Sequence, residues 1–443
     1  MQRWRWVTVG LLATLVVAAT AAAAGAQTGE RPRATEVGIT AREFHIAVVA
    51  DVESALAPNL FRGSVDGVLG VAKYLNANGG LAGRKVVVDF YDSQLNPDIT
   101  RDALISGCQN DAVMVGTSAI FLASVGEMRN CRDATGAAIG IPDIPFVTAT
   151  VLHQCSDESF PVVPPVLICS TKDQHPQTYQ SGIGRAFYFQ QQHGKHLHGI
   201  YIFTNGSKAT RDDLFAGLGA LRDAGIKSDG DFDLAANAPQ SQFTDVVRTM
   251  KKRHSNYAQC TLPYTCMVAL RKEATLQGLT GVTVWDCTVQ CYDARFLASG
   301  GSDVEGNYVS VPFLPFYNKA DQRAVPMLAN FVKYTGPGKL NSYAAYAWAA
   351  GIALRDAVKR AVAAHGVNGV TRKTIFEQLD QIHKFSADGF FAPFDLAGRR
   401  ITTCGVIMQV RHGEFVRVVP TKPGTYACTK GALDLRKLDL LGS

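Results

Sequence analysis

Phe44–Tyr91 reads FHIAVVADVESALAPNLFRGSVDGVLGVAKYLNANGGLAGRKVVVDFY, and this stretch decides the fold class. It opens on Phe44–Ala50, a continuous apolar run of strand length, the pattern of a strand covered on both faces. Phe61, Val65, Val68, Leu69, Ala72 and Leu75 then recur at helical spacing, and Gly79-Gly80 ends that helix. Lys85–Tyr91 (KVVVDFY) is β-branched and predicts a second strand. A strand, a helix and a strand within 48 residues is the unit of a parallel sheet.

The alternation continues outward. Asn96-Pro97 starts a helix, with Pro97 suited to its first turn. Ala112–Val115 and Pro145–Thr150 (PFVTAT) predict further strands, with a helix through Phe121 and Val125 between them. A second block follows: strand Leu197–Thr204, helix Asp212–Ala224, helix Gln242–His254, and strands Thr265–Leu270 (TCMVAL) and Val282–Trp285. Asn307–Val311 leads into a crossing at Pro312 and Pro315, then helices over Gln322–Tyr334, Ser342–Ala364 and Thr371–Gln381. Val406–Val410 and Phe415–Val419 around His412-Gly413 predict a hairpin. Two such blocks imply an α/β protein of two doubly wound lobes, and 443 residues are enough for two cores.

Arg3 and Arg5 precede the apolar run Val7–Ala19 and the small-residue stretch AAAAGAQ, the order of a secretory signal peptide. Cleavage is expected after Ala26, making 1–26 a leader; an uncleaved anchor is the competing reading. No cysteine follows the apolar run, so the expected location is secreted or periplasmic, without a lipid anchor. The formal charge of +6 is spread along the chain with no basic block, which gives a nucleic-acid partner no support. Ten cysteines, Cys108, Cys131, Cys155, Cys169, Cys260, Cys266, Cys287, Cys291, Cys404 and Cys428, fall in sequence-adjacent couples, and in an exported chain disulfides are the default. Connectivity is not fixed by sequence; nearest-neighbour pairing gives five local clips. Metal is the rival reading for Cys287-Thr-Val-Gln-Cys291, but no partner pair lies at finger-like spacing.

Tyr74–Lys85 (YLNANGGLAGRK), the following strand and YDSQLNPDITRDALI carry a resemblance to branched-chain amino-acid-type periplasmic binding proteins, the substrate-binding subunits of ABC importers. EGNYVSV and SYAAYAWAAGIALRDAV extend the similarity along the chain. The resemblance implies a type I periplasmic-binding fold: two lobes joined by three crossovers, closing on a small-molecule ligand. On that pattern 44–172 with 312–400 form the amino-terminal lobe, 173–311 with 401–425 the carboxy-terminal lobe, and 426–443 a tail. It further implies a monomer without cofactor or metal, partnered by ABC transporter membrane subunits.

The same resemblance points to site residues. Gly116-Thr117-Ser118-Ala119 matches a turn that gives a serine and backbone amides to ligand, with Ser118 and Ala119 the nearest positions; a plain helix cap is the simpler reading of Ser118. Thr148, Ala149 and Thr150 match a strand end that contacts ligand, although β-branched residues also simply pack strands. Asp173 falls where the chain crosses lobes, Asn205 ends the first strand of the second lobe, and Glu273 falls where an acid could meet a ligand amine. Trp285 is placed to line the cleft or to fill a core. Two departures weaken an amino-acid ligand: Asp51–Asn59 lacks the family's aromatic and glycine, and Asn205–Thr210 lacks its aromatic lid.

No enzyme constellation is present: G-x-G-x-x-G after the first strand, a P-loop, G-x-S-x-G and H-E-x-x-H are all missing. His193, His196 and His198 stand at a helix-to-strand junction rather than at ligand spacing. The sequence therefore predicts a binding protein, with a sensory ligand-binding module as the alternative. A membrane span after the second lobe would favour the sensor, and Cys428–Ser443 contains none.

Overall fold

The computed structural model describes residues 30–55, 57–169, 178–205, 217–235, 237–261, 263–429 and 433–437. The leader, Asp173 and the 206–210 stretch lie outside the described residues.

Four parallel strands form the first sheet: β1 (Glu43–Ala50), β2 (Lys85–Asp92), β3 (Val113–Val115) and β4 (Asp143–Ile144), in the order β2-β1-β3-β4. The apolar run of β1 is continuous because alternate residues enter different cores. Ile46, Val48 and Ala50 pack with Val65, Val68 and Val71 of the helix Arg62–Ala77. Ala47 and Val49 pack with Ala103 and Leu104 of the helix Pro97–Asn110. Each helix is punctuated as its residues dictate. The Asn96 side chain accepts the Asp98 and Ile99 amides, and Gly80, at φ +74°, turns the chain back so that its amide reaches Leu75 O.

β5 (Thr178–Gly182) stands apart and pairs with β14 (Leu433–Lys437). The second sheet has β6 (His198–Asn205), β7 (Lys227–Ala235), β8 (Tyr257–Cys260), β9 (Val284–Cys287) and β10 (Tyr308–Val311), all parallel. Its antiparallel edge is β11 (Cys404–Arg411), β12 (Glu414–Val419) and β13 (Ala427–Cys428), giving the order β12-β11-β10-β9-β8-β6-β7 with β13 on β11. His412 and Gly413 both take positive φ between β11 and β12, the two-residue turn that matches strand twist.

After β10 the chain returns to the first lobe, where the helix Ser342–His365 lies along Arg62–Ala77, and it crosses again to β11. Those helices approach closely: a Cβ on Gly67 would stand 2.3 Å from Ala344 O, and one on Gly351 2.3 Å from Val71. With the passage from β4 to β6 this makes three crossovers between two doubly wound lobes. Aromatic rings link the lobes at the crossings, from Tyr346 through Phe313 to Phe316, Tyr292 and Phe415, with centroids 4.5–5.8 Å apart.

Four expectations are corrected. Thr265–Leu270 is not a strand but part of the helix Tyr264–Leu276, in which Met267, Leu270 and Ala274 share the buried face. PFVTAT is not a strand: β4 stops at Ile144 because Pro145 has no amide to give a ladder. No helix runs through Phe121 and Val125; Phe121 sits exposed in a turn, and only Gly126–Arg129 is helical. The helix expected over Gln322–Tyr334 is two, Lys319–Ala324 and Pro326–Thr335, broken where Pro326 starts afresh. Among the described residues no helix is long and apolar enough to cross a membrane.

Candidate functional site: the cleft between the lobes

In open parallel sheets ligands sit beyond the carboxyl ends of strands, where connections leave in opposite directions. In the first sheet that point is between β1 and β3. Asp51 occupies it, fully buried, one residue past β1. Its carboxylate accepts Ser93 Oγ at 2.6 Å and the Leu95 amide at 2.8 Å through one oxygen, and the Ile120 amide at 2.8 Å through the other. One side chain thus ties together the loops after β1, β2 and β3. Burial raises the Asp51 pKa above the usual carboxylate range, opposed by the Ser93 bond and the two amides. Asp92 adds to the brace, accepting the Val52 and Glu53 amides at 3.1 and 2.8 Å.

The structure brings the predicted first-lobe residues together beside this brace. Ser118 bridges Ala50, and its amide donates to Val49 O. Thr117 O accepts the Phe146 and Val147 amides, which ties the 116–122 loop to the segment holding Thr148, Ala149 and Thr150. Ser118 Oγ is buried with no partner, and Ala119 is fully buried in the apolar core. Thr150 caps the short helix Val151–Gln154: its hydroxyl accepts the His153 amide and donates to Leu122 O at 3.1 Å. Gln154 Nε2 donates to Thr148 O. Because no helix follows Ser118, the expected helix dipole behind it is not there.

The second-lobe positions are dispersed. Asn205 ends β6, paired with Ala235. Glu273 lies between the helices Phe243–Arg253 and Tyr264–Leu276, accepting Gln277 Nε2 at 2.7 Å, Thr244 Oγ1 at 3.0 Å and Gln240 Nε2 at 3.1 Å. Those bonds, Gln277's first, hold its carboxyl below the usual range and leave it a structural tie. Trp285 is a core residue of β9 with the Arg271 guanidinium 4.5 Å from its ring centroid.

What the sequence did not single out are the loops that border the cleft here. Cys260 and Cys287 pair in register as the last residues of β8 and β9. Each is bonded across the loop that follows its strand, Cys260 to Cys266 in the first turn of the helix Tyr264–Leu276 and Cys287 to Cys291 in a 3-10 turn. The other pairs are Cys108–Cys131, Cys155–Cys169 and Cys404–Cys428. The two clipped loops wall a cavity of about 280 Å³, closed on its other side by Ala57–Leu60 of the first lobe and by Asn341–Tyr343. Inside it Arg295 pairs with Asp293 at 2.6 Å and lies over the Tyr264 ring. A larger cavity of about 730 Å³ in the second lobe is lined by Arg185, Tyr188, Gln259, Thr261, Thr288 and Ser310 among others. Arg185 is paired there with the buried Asp286, which also accepts Tyr257 OH at 2.6 Å. Among the described residues, none of the predicted ligand-contact positions lines either cavity.

The family model described as periplasmic binding protein matches residues 43–414. The chain belongs to the periplasmic binding protein family. Members of this family act outside the cytoplasm as solute binders, and two lobes with facing strand ends are the architecture expected of one. Solved structures agree on the fold. A leucine-, isoleucine-, valine-, threonine- and alanine-binding protein from Brucella ovis, in its closed conformation, superposes with a TM-score of 0.65 at 14% identity over 90% of this chain and 96% of its own. A fatty acid ABC transporter substrate-binding protein from Thermomonospora curvata gives 0.64 at 14% identity, covering 88% of this chain and 94% of its own. The branched-chain amino acid transporter substrate-binding protein of Streptococcus pneumoniae, solved with isoleucine, gives 0.60 at 14% identity, covering 84% and 98%. No curated protein sequence matches the chain significantly.

Proposed function

We propose that this periplasmic binding protein captures a small polar or amino-acid-like solute between its lobes and delivers it to the membrane subunits of an ABC importer. The observation that carries the reading is the 280 Å³ cavity, whose walls come from the loop after β1 and from the loops after β8 and β9. A site built from both lobes changes shape when they move, so a solute favouring the closed arrangement selects it. The Ser118 hydroxyl and the polar groups of Ala119, Thr148, Ala149 and Thr150 are the proposed first-lobe contacts, and Asp173 and Asn205 the proposed positions opposite; Glu273, a tie between helices, and Trp285, a core residue, are not among them. The protein acts by binding alone, as a monomer exported by its 1–26 leader and carrying no lipid. The lobes are 44–172 with 312–400 and 173–311 with 401–425.

The solute class is open to direct test. Mass spectrometry of material released from denatured, freshly purified protein names what co-purifies. Thermal melts with amino acids, short peptides and fatty acids then rank candidates. A true solute at a hundredfold excess over its dissociation constant stabilises by about 2.7 kcal/mol. If nothing co-purifies and no polar solute shifts the melt, the proposal is wrong about solute capture.

A further inference from the structure

Away from the cleft, near the start of β1, three metal-capable side chains converge. His45 is on β1, Asp89 on β2, and Asp111 at the junction between the helix Pro97–Asn110 and β3. One ligand atom from each lies within 4.8 Å of the other two. His45 Nδ1 stands 2.7 Å from Asp89 Oδ2. Asp111 is completely buried: Oδ2 accepts Tyr91 OH at 2.9 Å, while Oδ1 receives no hydrogen-bond donor. Six residues of extended chain separate His45 from Asp51, about 20 Å at strand rise, so this cluster is not part of the cleft.

Two carboxylates brought this close to each other need something positive between them. The nearest guanidinium does not supply it. Arg372 is buried here, but it donates to the main-chain carbonyls of Cys108, Asp111 and Arg132 rather than to either carboxylate. The imidazole is already oriented: its Nε2 lies 3.5 Å from Glu43 Oε2, which leaves Nδ1 directed at the carboxylates. A carboxylate behind a histidine, fixing its tautomer, is the usual support of a metal-bound imidazole.

We propose that His45, Asp89 and Asp111 bind one divalent transition-metal cation of the zinc class, with Glu43 orienting the imidazole. One imidazole nitrogen with two carboxylates suits zinc or its neighbours in softness better than calcium or magnesium, which prefer all-oxygen sets. Three protein ligands leave a fourth position for water or Tyr91. Ligands must be deprotonated to coordinate, so binding releases protons. Besides Asp111, the groups facing the site are His45, Glu43, Asp89, Tyr91 and, through space, Arg372.

The test is a calorimetric titration of chelator-stripped, full-length protein with zinc chloride near neutral pH. The expected result is saturable binding of one zinc per chain. Asp111→Asn and His45→Gln should each weaken binding at least tenfold. His196→Ala, an exposed histidine elsewhere, should leave it unchanged. His45 is only half-buried, so His45→Gln keeps the test alive if Asp111→Asn does not fold. Absence of saturable binding up to about millimolar zinc would mean that a proton alone holds the carboxyl pair. Affinity unchanged in both variants would place the metal elsewhere. Either outcome overturns the assignment.

Discussion

The two lobes brace their cleft-facing loops by different chemistry. In the first, a single buried carboxylate, Asp51, gathers the loops after β1, β2 and β3 through three hydrogen bonds. In the second, the neighbouring strands β8 and β9 end in cysteines, each bonded into its own loop. One wall is held non-covalently through side chains distant in sequence, the other covalently through partners 6 and 4 residues away. The contrast teaches that the same requirement, strand-end loops that present a fixed surface, can be met with or without an oxidising compartment. The walls should therefore fail under different insults, the first to mutation of one acid and the second to reductant.

The largest effect should come from Asp51→Ala. It strands the buried Ser93 hydroxyl and two part-buried amides, and unsatisfied buried donors cost about 1–3 kcal/mol each. A loss of at least ~3 kcal/mol is expected in denaturant unfolding. Hydrogen exchange should rise at 93–95 and 118–122 and stay unchanged at 261–266. Uniform exchange across both lobes would break the comparison.

Next is removal of the second-lobe clips. Cys260→Ser with Cys266→Ser, or Cys287→Ser with Cys291→Ser, should each cost about 2 kcal/mol in the chain-entropy account, since the loops are short. Exchange should rise in the clipped loop alone. Solute affinity should fall as well, because a loosened wall must be ordered on binding.

Smaller still are the two hydroxyls beside the Asp51 brace. Thr150→Val removes a helix cap and should cost about 1 kcal/mol of stability. Ser118→Ala removes a buried hydroxyl that has no partner, so folding should change by no more than about 0.5 kcal/mol. Its effect on solute binding, roughly ten- to a hundredfold if the hydroxyl pairs with ligand in the closed state, separates site from scaffold. Calorimetry beside unfolding curves reads both quantities.

A further effect concerns pH in metal-free protein. Burial raises the folded-state pKa of Asp111 from the usual 3.8 of an aspartate to about 8, so the folded state holds a proton that the unfolded chain releases. That contribution is complete below the unfolded pKa and is lost as pH rises through the folded one. Between those two values the thermal midpoint of the native protein should fall relative to that of Asp111→Asn as pH rises. A constant difference between the two proteins across that range would remove the raised pKa.

The first lobe was the more legible in sequence, for a physical reason. Phe44–Ala50 and Ala112–Val115 are buried on both faces, so nearly every residue is apolar and the strands announce themselves. TCMVAL has the same local composition, but Pro263 ahead of it and Met267, Leu270 and Ala274 at helical spacing make it a helix. A run of six residues cannot tell the two apart. PFVTAT failed because its amides go to Thr117 O across the loop rather than to a neighbouring strand, a partner no local pattern reveals. Of the candidate site, the Ser118 and Thr148–Thr150 segments were singled out through family motifs, and the structure places the two segments side by side. Asp51 was passed over because a lone acid after a strand has no signature; its partners lie 42 to 69 residues away. Glu273 read as an acid able to meet a ligand amine because Gln240, Thr244 and Gln277, which occupy it, become its neighbours only when two helices pack.

The central claim is that a solute taken up between the lobes draws them together. Small-angle X-ray scattering on the purified protein, with and without the solute that mass spectrometry identifies, tests it most directly. The account predicts a smaller radius of gyration at saturation, with the change following the binding isotherm. A solute that saturates the protein and leaves the scattering curve unchanged would contradict it.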